Sequence, residues 1–260
     1  MKILFIGDAV GQEACEKLIT FLPQFKREND IKITIINGEN SADGNGITPY
    51  SANLLFRAGA DVITTGNHCF KRQETDNTYN ENTFIIRPAN YGNDVPGKGF
   101  CIIDKGSFSV AVINLIGTTF MSPADNPFKY ADEILNIPAV KQTKNIIVDF
   151  HAEATAEKKA MGYYLSGKVS AVIGTHTHVQ TADEQIINEH TAYITDTGMT
   201  GVHDSVLGVQ KDVILERFTR YYPKKHVFAS GSHSINAVLF NIDEKTGKAL
   251  SITRINERMG

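Results

Sequence analysis

The sequence predicts an α/β protein with mixed β-sheets and helices packed outside them. Three patterns predict it. Strand-like apolar runs alternate with amphipathic helical stretches in the first part of the chain. Paired strand-like runs joined by short turns occur in the middle and at the end. The apolar runs also repeatedly stop at a glycine followed by a polar or ionisable residue. Alternation of strand and helix implies parallel pairing through right-handed crossovers, whereas strands joined by a tight turn run antiparallel. The 260 residues suit one domain spanning 1–260, because a single core still grows at up to roughly 250–300 residues.

Each element has its own signal. ILFI (3–6) is the first strand, and it stops at Gly7 and Asp8. ACEKLITFLPQF (14–25) sets Leu18, Ile19, Leu22 and Phe25 at helical spacing, and Pro23 is expected to bend or end that helix. IKITIING (31–38) is the next strand. ITPYSANLLFRAG (47–59) reads as a helix with Thr48 as N-cap, Pro49 at the first helical position and Gly59 at the exit. DVITTG (61–66) is the third strand. GFCIID and SFSVAVINLIG flank a hairpin turn at Lys105-Gly106. NIIVDF (145–150) is a strand, TAEKKAMGYYLSG (155–167) a helix and SAVIG (170–174) a strand. After AYIT (192–195) come a helix in DVILERFTRYY (212–222) and a hairpin of INAVLFNI and ALSITRI around Glu244 to Gly247. No repeat, low-complexity stretch or linker interrupts this order.

Composition excludes several classes. A hydrophobic fraction of 42% and a charged fraction of 21% are those of a globular chain. A net charge of −3 gives no bulk attraction for nucleic acid. The local basic runs, Lys224-Lys225-His226 and Lys141 to Lys144, read as solvated surface. Three widely spaced cysteines, Cys15, Cys69 and Cys101, with no C-x-x-C, exclude a disulfide framework and a thiolate zinc site. They favour a reducing compartment. The apolar run after Lys2 is four residues long, too short for a signal peptide, and no stretch approaches the roughly 20 residues that span a bilayer. A cytoplasmic protein without a membrane partner is expected.

The chemistry lies at the strand ends. Asp8, then Glu39 and Asn40, then Asn67 and His68, then His151, then His176 and His178 each follow a strand-like run. In open α/β sheets ligands bind at that edge. Singly, each has an ordinary reading: Asp8 as a helix cap, Glu39-Asn40 as loop surface, Asn67 as a turn residue, a lone histidine as structural. Together at one sheet edge they are an improbable coincidence. His176-x-His178, on an extended segment, would point both imidazoles to one side, where they can serve one metal or two neighbouring ones. A donor set of Asp, Glu, Asn and His without sulfur suits iron, manganese or zinc and is too rich in nitrogen for calcium. Asp8, Glu39, Asn40, Asn67, His151, His176 and His178 exceed one tetrahedral site, and they suit two metals sharing a carboxylate.

The order D…GEN…GNH…H…GTHTH resembles the calcineurin-like metallophosphoesterases, whose blocks are D-x-H, G-D, G-N-H, a lone His and G-H-x-H. It is closer still to the YmdB-type bacterial 2′,3′-cyclic-nucleotide phosphodiesterases. That branch has Glu-Asn in the second block and a late segment like TDTGMTG (195–201), followed by Asp204 to Gly208. The resemblance covers nearly the whole chain. It implies a four-layer sandwich of two mixed β-sheets flanked by helices. It implies that Asp8, Asn40 and His178 bind a first metal, that Asn67, His151 and His176 bind a second, and that Glu39 bridges both. His68 would be the proton donor to the leaving group. The implied cofactors are two divalent or trivalent metal ions, iron first with manganese or zinc as alternatives, bridged by Glu39 and a hydroxide that attacks phosphorus in line. The implied substrate is a 2′,3′-cyclic nucleotide or another phosphodiester.

Position 10 departs from the superfamily: Val10 stands where D-x-H has its histidine. Asn40 is the expected substitute, making a harder and more labile first site. Thr118 to Pro123 and Thr197 to Asp204 are candidate nucleotide contacts, with His203 and His233 as further candidates. His190 lacks matching context, and His226 reads as surface. Cys69 reads as a packing residue. A phosphomonoesterase or nucleotidase on the same metals, and a regulatory nucleotide-binding protein with slow turnover, are the alternatives. The oligomeric state, a homo-oligomer included, stays open.

Overall fold

Two sheets carry the chain, and both are mixed. The computed structural model describes residues 1–221 and 223–259. In order the elements are β1 (Lys2–Ile6), β2 (Asp8–Ala9), α1 (Gly11–Asn29), β3 (Ile31–Asn37), α2 (Pro49–Ala58), β4 (Val62–Thr64) and α3 (Thr75–Glu81). A 3-10 turn at Ala89–Tyr91 leads to β5 (Phe100–Asp104), β6 (Ser109–Ile116), α4 (Pro127–Leu135), α5 (Pro138–Gln142), β7 (Asn145–His151), α6 (Thr155–Leu165) and β8 (Ala171–Thr175). The last third holds β9 (Gln185–Ile187), β10 (Thr191–Ile194), β11 (Met199–Val202), α7 (Lys211–Arg220), β12 (His233–Ile242) and β13 (Ala249–Met259).

In the first sheet β1 lies between β3, parallel to it, and β12, antiparallel to it, while β4 extends the parallel side. β12 pairs β13 along its whole length, and β11 pairs both the start of β12 and the short β2. The second sheet runs β5-β6-β7-β8-β10-β9. Its middle strands are parallel, and its edge strands β5 and β9 are antiparallel.

Strand alternation builds the layers. Ile3 and Phe5 of β1, with Ile33 and Ile35 of β3, face Val110, Val112, Ile147 and Ile173 of the second sheet. Leu4 and Ile6 point the other way, against Leu18, Leu22 and Phe25 of α1 and Leu54 and Leu55 of α2. On the far side Ile113, Val148 and Phe150 pack under Met161 and Leu165 of α6. Strands covered on both faces read as continuous apolar runs, as ILFI and NIIVDF do. This is the four-layer sandwich expected.

Both hairpins stand as read, with Lys105 N donating to Phe108 O and Gly247 N to Asp243 O. α2 begins as expected, with Thr48 and Ser51 in a reciprocal capping box, Pro49 in the first turn and Gly59 left-handed at the exit. α7 covers 212–220 of the helix read at 212–222; Tyr221 is its left-handed C-cap and Tyr222 lies outside the described residues. No described helix is long and apolar enough to cross a membrane. All three cysteines are free and buried.

Pro23 is a correction. It neither ends nor breaks α1, which continues to Asn29 and is capped by left-handed Asp30. Pro23 sits on the solvent face, whereas Leu18, Leu22 and Phe25 are buried. Burying such side chains contributes ~1.5–3 kcal/mol each, which outweighs the ~3 kcal/mol that an interior proline costs. Pro23→Ala is therefore expected to stabilise the fold by about 1–3 kcal/mol, less the small entropy that proline removes from the unfolded chain. Urea unfolding checks this: the midpoint should rise at unchanged slope. A lower midpoint would mean that the helix does not run through position 23.

Candidate metal centre

The strand-end side chains do converge, but from two sheets rather than from one sheet edge. β1 leads through Gly7 to Asp8, β3 to Glu39 and Asn40, and β4 to Asn67 and His68. β7 ends in His151, and β8 leads to His176 and His178. Glu39, fully buried, stands at the centre. Its Oε1 lies 3.2 Å from His151 Nε2 and 3.2 Å from Asn40 Nδ2, and its Oε2 accepts from His68 N at 3.1 Å. On one flank Asn40 Nδ2 also lies 3.3 Å from Asp8 Oδ1 and 3.1 Å from His178 Nε2. On the other, His151 Nε2 lies 3.0 Å from Asn67 Oδ1 and 3.0 Å from His176 Nδ1. Ligand atoms of Glu39, His151 and His176 all lie within 4.8 Å of one another, a group that could hold a metal ion.

Protons explain why this set wants a cation. Asp149, buried below the site, accepts from Asn37 Nδ2 at 3.1 Å and from Thr175 Oγ1 at 2.7 Å. Burial raises its pKa to about 6, so it is a carboxylate acceptor at neutral pH. The single hydroxyl proton of Thr175 goes to Asp149. Its oxygen then accepts from His151 Nδ1, 2.9 Å away. That directs Nε2 at the oxygens of Glu39 and Asn67, as an N–H while the ring is protonated and as a lone pair for a cation once the ring is neutral. The cluster's pull on positive charge appears in the titration of His151. Burial, the largest influence, favours the neutral ring, yet Glu39 and then Asp8 overcome it and raise the pKa to about 9. Asp8 shows the reverse: despite burial, His178 holds its carboxyl below the usual range. His178 Nδ1 is buried without a hydrogen-bond partner among the described residues.

The H-x-H reading needs correction. β8 ends at Thr175, and His176 and His178 both adopt positive φ, 110° and 66°. The segment is bent, so the two rings part, His176 toward His151 and His178 toward Asp8. L-residues avoid this backbone region at a cost of about 1–3 kcal/mol. Asp196 holds the bend: its Oδ2 accepts from Thr177 N at 3.0 Å and from the buried Lys158 Nζ at 2.6 Å, and its Oδ1 from Gly198 N at 2.8 Å. Sequence reading missed Asp149, Asp196 and Lys158 as supports. A lone acid inside the apolar run NIIVDF was a legible signal for Asp149.

Val10 packs against Gly208 at the rim, leaving Asp8 with Asn40 and His178 as neighbours. Above the cluster opens a cleft of about 1030 Å³. His68 stands on its floor, partly exposed, with Nδ1 2.8 Å from Asn40 Oδ1. Burial lowers its pKa. Neighbouring Cys69 is buried and its thiol is pushed far up by burial, consistent with packing.

The loops expected to contact the nucleotide are not among the residues lining this cleft. Thr197 to Val202 are buried, β11 pairing with the strand that carries Asp8. Thr118 and Thr119 are tied to Glu157. His203 is exposed outside the cleft lining, and His233 is buried against Gly231 O. Instead Lys225 and His226, read as surface, line the cleft with Arg217, Phe218 and Phe228.

Comparison with known proteins agrees with this architecture. The YmdB-like protein family matches residues 4–255. A 2′,3′-cyclic-nucleotide 2′-phosphodiesterase of Bacillus subtilis is 45% identical over 255 residues, covering 98% of this chain and 96% of that one. The crystal structure of a hypothetical protein from Thermus thermophilus is 34% identical and superposes with a TM-score of 0.93 over 100% of both chains. That of a novel phosphatase from Mycoplasma pneumoniae is 30% identical with a TM-score of 0.91, covering 99% of this chain and 93% of that one.

Gly66, where the chain leaves β4, packs directly against the cluster. A β-carbon there would stand 2.3 Å from both Glu39 Oε2 and His151 Nε2. Gly66→Ala is expected to lower metal affinity at least about tenfold and to destabilise the fold by about 1–3 kcal/mol. Metal titration and thermal melting check it, and wild-type values in both would show the site to be looser than described.

Proposed function

The chain belongs to the YmdB-like family, and from that premise we propose that it hydrolyses 2′,3′-cyclic nucleotides at a dinuclear metal centre. The observation that carries this reading is the convergence of Glu39, His151 and His176, with Nδ1 of His151 committed to Thr175 and Asp149 and its Nε2 turned toward Glu39 and Asn67. Asp8, Asn40 and His178 would hold one ion, Asn67, His151 and His176 the other, with Glu39 between them. Iron, manganese and zinc all suit these nitrogen and oxygen donors. Such a pair of ions lowers the pKa of a bound water and neutralises charge on the phosphate.

The remaining chemistry belongs to the chain. Asn40 takes part as a ligand with its amide turned over, an exchange of oxygen and nitrogen that leaves the side-chain shape unchanged. Its Nδ2 then donates to His68 Nδ1 across the same 2.8 Å. The proton of the neutral ring is thereby confined to Nε2, the nitrogen left for a departing ribose oxygen. The lowered pKa of His68 keeps the ring neutral in the free enzyme, and an arriving phosphate anion favours taking up a second proton. His68 thus holds and delivers a proton while Glu39 receives its backbone N–H and fixes its place.

Rates on 2′,3′-cyclic AMP, 3′,5′-cyclic AMP and the plain monoester 3′-AMP test the reading, with the first expected to be fastest. His68→Ala should lower kcat by roughly 10²–10⁴ at unchanged metal content. Activity confined to the monoester would replace the diesterase by a nucleotidase. A His68→Ala enzyme as fast as wild type would remove the proton donor.

A further inference from the structure

The outer wall of the cleft has a chemistry that a mononucleotide does not use. The metal-ligand cluster forms the floor, and α7 with residues 225–228 forms a wall of aromatic and cationic side chains. Phe218 is 70% exposed there. The ring of Phe228 is held against Gly44, where a β-carbon would stand 2.2 Å from its Cε1. Arg217 donates through Nη1 to His226 Nε2 at 2.7 Å, which orients the guanidinium and makes the imidazole an acceptor. Lys225 lines the same wall and makes no ion pair among the described residues, whereas neighbouring Lys224 is paired with Glu216.

A nucleoside 2′,3′-cyclic phosphate carries one negative charge, which the proposed metal centre on the cleft floor would meet. Arg217 and Lys225 then have no anion to meet. Aromatic faces beside cations are how proteins hold single-stranded nucleic acid, bases stacking on the rings and phosphates meeting the charges. The volume of about 1030 Å³ stands at the top of the ~300–1,000 Å³ range of small-molecule sites. Asp43 also lines the cleft and the chain's net charge is −3, so attraction is confined to this wall and does not extend to long tracts.

We propose that this wall binds the nucleoside and internucleotide phosphate on the 5′ side of a terminal 2′,3′-cyclic phosphate. The substrate class is then short single-stranded oligoribonucleotides with such an end. This rests on the phosphodiesterase reading above and deepens it. Water adds at the terminal phosphorus and one ring P–O bond breaks. The released ribose oxygen takes the proton, and a phosphomonoester remains while the internucleotide bond is untouched. Reactions that supply such ends are RNA cleavages in which a ribose 2′-hydroxyl displaces the next nucleotide.

Metal-loaded enzyme is assayed on 2′,3′-cyclic AMP, on diadenylate ending in a 2′,3′-cyclic phosphate, and on that dinucleotide with a neutral methylphosphonate linkage. The natural dinucleotide should have roughly tenfold higher kcat/KM than the mononucleotide, expressed mainly in KM. The methylphosphonate should lose most of that gain, as should the double variant Arg217→Ala/Lys225→Ala on the natural dinucleotide. Equal kcat/KM for mononucleotide and dinucleotide overturns the subsite and leaves the diesterase reading standing. Hydrolysis of none of the three overturns that reading and the subsite with it.

Discussion

A carboxylate at the meeting point of two sheets, ringed by nitrogen and oxygen lone pairs, is the constraint on which the rest depends. Glu39 has no accessible surface to speak of, and desolvating a charge is expensive unless the protein supplies compensation. Glu39 accepts from the His68 N–H and from Asn40 Nδ2 and faces His151 Nε2, while the amide oxygen of Asn67 and, beyond Asn40, the carboxylate of Asp8 crowd the same centre with acceptors. Such a site is consistent only if positive charge enters it. The raised pKa of His151 is one expression of that demand.

The sandwich serves the constraint by stacking two sets of strand ends. Parallel strands in the first sheet present Asp8, Glu39 and Asn67 at one end, and parallel strands in the second present His151 and the 176–178 bend beside them. The supports lie one layer deeper. Asp149 and Thr175 set the tautomer of His151, and Asp196 with Lys158 holds the bend. A ligand's partners commonly tune a metal as much as the ligands do.

Much of this was legible along the chain, because the chemistry follows local rules. Strands buried on both faces are continuous apolar runs, and their ends are marked by glycine. The donors at those ends could be read off one by one. What could not be read is pairing between remote segments. That Met199 lies opposite Asp8, or that Lys158 reaches Asp196, depends on the packing of the two sheets. Pro23 misled because a local rule about proline was outweighed by the buried face of α1. Lys225 and His226 are exposed, as the basic run suggests, but only the fold shows that they also line the cleft over the site.

Elemental analysis of freshly purified protein tests the central claim most directly, with wild type and Glu39→Ala prepared alike and both confirmed folded by circular dichroism. A carboxylate shared between two ions predicts about two metal ions per chain in wild type and loss of both in the variant. One ion per chain in wild type, or two retained by Glu39→Ala, would contradict it.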